Sequence, residues 1–341
     1  MKVYRIFFQT TIVFILLISN NQTAIAENKN AFGMVTGSKT GTYIRFGKEM
    51  AKIAQRAGID ILVKDSDGSL ANIKRIRSKE NAAIGIVQSD VLGYLQERPE
   101  SRIFARKLRL IFPFYKEEVH LFASKEIESF KDLQDKNLVI GARGSGNWLT
   151  TMNMLRIMGV KPGRSLNLKP PEALHAVLTG SADAMIYVAG KPVKLFKKLE
   201  RDKIDPRFLP LLEKVHFVSL NHPDLLREYA ASEISFNDYS WFDNKIPTVA
   251  VKAVLVSYDF SSRHTPYFDL RCEQLAQLGQ VIRSNIGELK SQGHPKWQEV
   301  NLEDEMGNWP IDTCSRGLAQ AKSQKVGKEG IYDGLLDYLR E

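Results

Sequence analysis

Two short runs of glycine and hydroxyl residues each follow an apolar segment and open an amphipathic one. The first is Gly37-Ser38-Lys39-Thr40-Gly41-Thr42-Tyr43 and the second is Gly141-Ala142-Arg143-Gly144-Ser145-Gly146-Asn147. A turn that feeds a helix leaves several backbone N–H groups unpaired at a partly positive helix end, which suits a carboxylate or a phosphate. Glycine lets a ligand reach the backbone, and the hydroxyls of Ser38, Thr40, Thr42 and Ser145 add donors. The same residue types are ordinary turn and cap residues, so either run alone says little. Two of them in one chain point to binding. Neither matches a nucleotide motif: the first lacks the Gly-Lys-Ser/Thr ending of a P-loop, and neither reads Gly-x-Gly-x-x-Gly. Asp65-Ser66-Asp67-Gly68 resembles the start of a calcium loop but lacks a third ligand before the glycine, so it reads as a capping turn.

Catalytic signatures are missing. There is no Gly-x-Ser-x-Gly, no Ser-x-x-Lys and no His-Glu-x-x-His. The six histidines, His120, His175, His216, His222, His264 and His294, are scattered through different elements and read as structural or surface residues. Glu117-Glu118 would place its side chains on opposite faces of a strand, which is no acid/base dyad. The expectation is a protein that is not an enzyme, with no metal site and no cofactor.

The elements that must position the two turns alternate strand and helix. Apolar runs at 31–36, 59–63, 82–87, 108–112 and 119–123 read as strands. Tyr43, Phe46, Met50, Ile53, Ala54 and Ala57 recur at three and four, a helix that stops near Gly58. A second helix starts at Ser69, and Ser89-Asp90 caps a third. The pattern then repeats, with a strand at 138–140, a helix at 147–158 ended by Gly159, a helix at 171–179, a strand at 182–188 and Pro192 as the first residue of another helix. A β-branched run at 248–257 reads as a return strand, and a long helix spans 267–289 before Gly293-His294-Pro295. Such βαβ punctuation implies an α/β protein with a mostly parallel sheet covered by helices. Without a linker between its two halves, the chain is expected to cross between two lobes more than once.

The 341 residues include 43% hydrophobic and 26% charged residues, which excludes a disordered chain. Lys2 and Arg5 precede an apolar run over 6–18, which is too short for the ~18–20 residues of a bilayer span. With Ala24-Ile25-Ala26 ahead of Glu27, residues 1–26 read as a cleaved signal peptide, an uncleaved anchor being the alternative. The formal charge is +9, or +7 without Lys2 and Arg5, and is spread along the chain; nucleic acid is not an expected partner. Cys272 and Cys314 are a disulfide candidate in an oxidising compartment, the alternative being two buried thiols.

The ordered set Val35-Thr36-Gly37-Ser38-Lys39-Thr40-Gly41-Thr42-Tyr43, Gly68-Ser69-Leu70-Ala71-Asn72, Ile86-Val87-Gln88-Ser89-Asp90, Gly144-Ser145-Gly146 and Tyr187-Val188-Ala189-Gly190-Lys191-Pro192 resembles the TAXI family of solute receptors. These are the substrate-binding components of tripartite ATP-independent periplasmic (TRAP) transporters, and the resemblance covers about 32–260. It implies a two-lobed type II periplasmic-binding-protein fold with a ligand cleft, with 27–116 and 251–341 as lobe 1 and 117–250 as lobe 2. It implies a monomer in the periplasm that captures a small anionic solute, a carboxylate of the glutamate, glutamine or 2-oxo acid type, and passes it to a membrane permease. Carried over by position, the ligand site comprises Gly37, Ser38, Lys39, Thr40, Gly41, Thr42, Tyr43, Ser69, Asn72, Gln88, Ser89, Ser145, Gly146, Asn147, Tyr187 and Lys191. Asn72 reads nearly as well as an exposed helix residue or a local cap. The chain departs from the family pattern at Lys39, where glycine is commoner, and at Asn147-Trp148, where threonine usually follows the glycine. A ligand-sensing protein of the same fold that acts on a signalling partner is the alternative to a transport receptor.

Overall fold

The computed structural model describes residues 32–78, 82–200, 202–307 and 309–317; the expected signal peptide lies outside them. In chain order the first part runs β1 (Phe32–Val35), α1 (Thr42–Arg56), β2 (Ile61–Lys64), α2 (Ser69–Ser78), β3 (Ile84–Gln88), α3 (Val91–Gln96), α4 (Pro99–Ala105) and β4 (Leu108–Ser124). It continues through β5 (Asn137–Val139), α5 (Gly146–Met158), β6 (Arg164–Leu166), α6 (Pro170–Leu178), β7 (Ala184–Ala189), α7 (Lys194–Lys197), α8 (Leu209–Leu212) and β8 (Val215–Phe217). The last elements are α9 (Pro223–Glu228), β9 (Ala230–Ile234), β10 (Ile246–Tyr258), α10 (Pro266–Ser284) and α11 (Ile286–Gln292).

The ten strands of the described residues form one sheet in the order β2-β1-β3-β10-β4-β7-β5-β6, with β8 on β4 and β9 on β10. β1 runs parallel to β2 and β3, and β5 runs parallel to β6 and β7. Between these parallel triplets β4 and β10 pair antiparallel from Ala250↔Glu118 to Tyr258↔Leu108. One end of β10 also holds β3 and its other end holds β9, while the far end of β4 holds β7. The sheet therefore has two halves threaded by two shared strands. This is the α/β architecture of the type II periplasmic-binding-protein fold.

Alternation along the strands buries both faces. In the first half Phe32 and Met34 join one core with Phe46, Phe114, Leu275 and Trp297, while Val35 turns to the opposite core with Val87, Val91 and Val256. In the second half Ile186 and Val188 pack with Met154 and Leu155, and Met185 packs with Phe122, Phe196 and Phe217. The Phe46 and Trp297 rings stack at 4.0 Å. His120 is fully buried among these aromatics. Val193 N–H donates to the Tyr239 hydroxyl, which leaves the Tyr239 O–H to donate to His120 Nε2; Nδ1–H then donates to the carbonyls of Glu118 and Tyr187. Burial pushes His120 down to about 4, so it is a neutral core residue.

Several elements differ from the sequence reading. The strands expected at 108–112 and 119–123 are one 17-residue strand, because the polar residues between them find partners on both faces of it. The long helix ends at Ser284, where Asn285 Nδ2 bonds back to the Val281 carbonyl, and a separate α11 follows. Pro192 does not open a helix: it follows a cis peptide bond, and α7 begins two residues later. β6, β8 and β9 and the short helices α4, α8 and α9 were not expected; β6 and β8, at three residues each, are too short to show a period. Cys272 on α10 and Cys314 are disulfide-bonded, tying that helix to the end of the described chain.

Replacing both cysteines by serine is expected to destabilise the fold by up to about 4 kcal/mol, the chain-entropy value for a loop closed over 42 residues. Urea unfolding of the double variant checks this, and an unchanged midpoint would show that the crosslink adds nothing.

Candidate ligand site between the sheet halves

The first glycine turn divides its residues between two surroundings. Ser38, Lys39 and Thr40 are exposed. Ser38 and Lys39 line an outward bowl of about 450 Å³ with Asp65, Ser66, Asp67 and Arg75. Gly37 and Gly41 shape the turn: the Gly37 carbonyl accepts from Ser66 N–H, and Gly41 N–H donates to the Ser38 carbonyl. Only Thr42 and Tyr43, at the start of α1, face the shared strands. The Tyr43 hydroxyl donates to Glu117 Oε2 at 2.8 Å, and Thr42 stands beside Tyr115.

Ser69, Asn72 and Gln88 are buried where α2 meets the end of β3. Ser69 Oγ accepts from Gln88 N–H at 3.0 Å. Asn72 Nδ2 donates to the carbonyls of Thr36 and Ile86 and so ties α2 to two strand ends. It is thus neither exposed nor a cap of its own helix. Ser89 belongs to the sheet: its hydroxyl accepts from Lys252 N–H, and its carbonyl accepts from Trp309 Nε1–H.

The second turn behaves in the same way. Ser145 Oγ caps α5 by accepting from Trp148 N–H at 3.1 Å. Asn147 donates through Nδ2 to the Ile186 carbonyl at 2.9 Å and accepts through Oδ1 from Val188 N–H at 2.7 Å, filling the place of a strand neighbour along β7. Gly141 has φ +84, and a Cβ there would collide with that amide. Gly146 is where the two turns converge. A Cβ on it would collide with Gln88 Oε1 and lie 2.9 Å from Ser69 Oγ, while Gly68 sits against its backbone nitrogen.

The same face of α5 continues the contact between the halves. Thr150 Oγ1 donates to Gln88 Oε1 at 3.3 Å, and Asn153 Nδ2 donates to Asp90 Oδ2 at 3.3 Å. Tyr229 donates its hydroxyl to the same Asp90 oxygen, and Arg156 pairs with Glu97 at 2.9 Å. Leu149 and Trp148 pack into the core of the first half, with Trp148 edge-on to Tyr94. Asp90 precedes α3 but does not cap it with its side chain, contrary to the sequence reading, because that side chain serves this contact.

Three carboxyl groups lie at the centre. Glu117 and Glu118 sit back to back on β4. Glu117 faces Tyr43 and Gln88, whereas Glu118 accepts from Lys191 N–H at 3.0 Å and from the Ser232 hydroxyl. Burial pushes Glu117 up to about 7 and Asp90 up to about 6, and raises Glu118 as well. Burial and the charge of Glu117 together raise the Tyr187 hydroxyl. The Lys191 ammonium does not join the site: Asp238 holds it at 3.0 Å, and it donates to the Glu233 carbonyl at 2.6 Å.

The structure thus brings together Thr42, Tyr43, Ser69, Gln88, Gly146 and Tyr187. It commits the side chains of Asn72, Ser89, Ser145, Asn147 and Lys191 to internal bonds and leaves Ser38, Lys39 and Thr40 outside. Glu117, Asp90, Tyr115, Thr150, Asn153 and Tyr229 were missed. Only Glu117 left a signal in the sequence, as half of an acidic pair inside an apolar strand.

A sheet threaded by two shared strands, with polar groups from both halves meeting at the start of α5, is the arrangement of the periplasmic-binding-protein fold. The chain belongs to the NMT1-like family, whose model matches residues 34–303. Among solved structures it is similar to the ligand-binding core of GluR0 from Nostoc punctiforme in complex with L-glutamate, at 16% identity and a TM-score of 0.44, covering 78% of this chain and 95% of that one. It is also similar to MatC from Rhodopseudomonas palustris with bound malate, at 13% identity and a TM-score of 0.48, covering 87% and 97%. No curated protein matches it.

Two outcomes follow from this geometry. Gly146→Ala is expected to weaken binding of any ligand held in the closed form at least tenfold by titration, with little loss in unfolding temperature; unchanged affinity would mean that closure does not bring Gly146 against Gln88. Asp90 lies at about 6 folded against its ordinary 3.8, so the folded parent keeps a proton that the unfolded chain has released, and it loses stability as pH rises through this window. Asp90→Asn has no such loss, and His120 acts equally in both proteins. The stability of the variant relative to the parent should therefore grow by about 2–3 kcal/mol between pH 4 and 7, by urea unfolding. A difference independent of pH would remove Asp90 from the buried contact.

Proposed function

We propose that the chain is the extracytoplasmic solute receptor of a TRAP-type transporter of the TAXI kind. It would capture a small carboxylate between lobe 1 (27–116 and 251–341) and lobe 2 (117–250) and present it to a membrane permease. The observation that carries this reading is the convergence of the two glycine turns on Gly146, against Ser69 and Gln88. The leading N–H groups of a helix have no partners within it, so the start of α5 is a place for a carboxylate. Gln88 and Thr150, one from each half, lie beside it. The motif order around both turns and the signal-like composition of 1–26 support the transporter assignment and the export.

The test is a thermal-shift panel of amino acids, 2-oxo acids, dicarboxylates, sugars and phosphate on the purified protein, refolded once to strip bound solute. A solute at one hundred times its dissociation constant stabilises by about 2.7 kcal/mol, a shift of several degrees. A shift confined to one carboxylate class is the expected result. Shifts from sugars alone, or from nothing in the panel, would overturn the carboxylate-receptor reading.

A further inference from the structure

We propose that the ligand carries an ammonium group received by Glu117, so that amino-acid carboxylates are preferred to the 2-oxo acids of the same skeleton; this rests on the receptor reading above. Glu117 is 7% exposed on β4, between the halves. Tyr43 and Gln88 donate to it, and both donors are neutral. The other titratable groups whose charge reaches it are Tyr115 and, from the opposite strand face, Glu118 on its own strand, Tyr187 from β7, and Lys296 from the single turn Pro295–Glu299. Asp90 lies beyond Tyr43. Lys296 is the nearby cation, and Glu299 holds its ammonium at 2.5 Å. Lys191 is held by Asp238.

A second observation points the same way. Tyr115 shares the strand face of Glu117 and is 1% exposed, yet among the described residues its hydroxyl has no partner at hydrogen-bond distance; the Thr42 hydroxyl beside it supplies at most a weak interaction. A buried hydroxyl without a partner costs about 1–3 kcal/mol. An ammonium has three donors, which can reach Glu117 and the Tyr115 oxygen together. A 2-oxo group could accept from Tyr115, but it would set a lone pair against Glu117. Gln88 stands between this acidic end and the start of α5, which matches the two charges of an amino-acid head group.

Glu117 lies at about 7 without a cation, so an arriving ammonium ionises it and releases up to one proton. A second anion would instead require proton uptake. The experiment is titration calorimetry at pH 6.5, in two buffers of different ionisation enthalpy, on the parent and on Glu117→Gln. The probes are L-glutamate with 2-oxoglutarate and L-alanine with pyruvate. The expected result is an amino acid that binds at least tenfold tighter than its oxo acid and with proton release. In Glu117→Gln that amino acid should lose at least tenfold and the release should vanish, while the oxo acid is held no more weakly. An oxo acid that binds as tightly as its amino acid, or an amino acid indifferent to Glu117→Gln, overturns the inference and leaves the receptor reading intact. Silence from every probe, together with a silent thermal-shift panel, removes both.

Discussion

The molecule depends on β4 and β10 being one continuous antiparallel pair that neither half owns. Each strand carries apolar residues to both sheet faces at both of its ends, so each half of the sheet needs both strands to complete its core. Between the Phe112–Phe114 end and the Val119–Leu121 end of β4, the strand must pass from one pair of cores to the other. Lys116, Glu117 and Glu118 occupy that passage, and the register with β10 shifts beside them between Lys252 and Val254. The acids are buried because the halves close over the passage, and they are tolerable there because each face supplies donors.

The contact between the two halves rests on one side of α5. Leu149 and Thr150, then Asn153, then Arg156 recur at helical spacing, and all of them meet the first half. Met154 and Leu155 pack into the second half instead. The helix therefore has two working faces and lacks the polar side that would mark it as a surface helix. Its start can approach Gln88 and Ser69 only because residues 68 and 146 have no side chains, which makes the two glycines a matched pair.

This arrangement explains what could be read from the chain. The glycine turns, the parallel strands β1, β2, β3, β5 and β7 and the helices α1, α2 and α5 follow from local periodicity and turn chemistry, so they were legible. The destinations of polar side chains were not. Asn147 and Ser145 look like ligand donors because they follow glycine at a helix start, yet the same chemistry makes Ser145 a cap and lets Asn147 mimic a strand edge. Lys191 looks like a cleft cation until β9 and the loop after it bring Glu233 and Asp238 to it from more than forty residues away. Tyr229 reaches Asp90 across 139 residues, a contact with no local pattern to announce it.

The exposed cations of the chain and the buried carboxyls between its sheet halves act over different distances. Lys39 and Arg143 are exposed, and in salt their reach extends about 8–10 Å. They contribute to the diffuse field that brings anions toward the surface. Between the halves Glu117, Glu118 and Asp90 are buried where screening is weak, and that burial raises all three, so each carries its charge most readily when a cation meets it. On the receptor reading proposed above, a solute drawn in by its negative charge would meet these carboxyls, and the one held best would satisfy both surroundings. On that reading a bare dianion would fit less well than the glycine turns alone suggest, because its second charge would call for proton uptake at these acids.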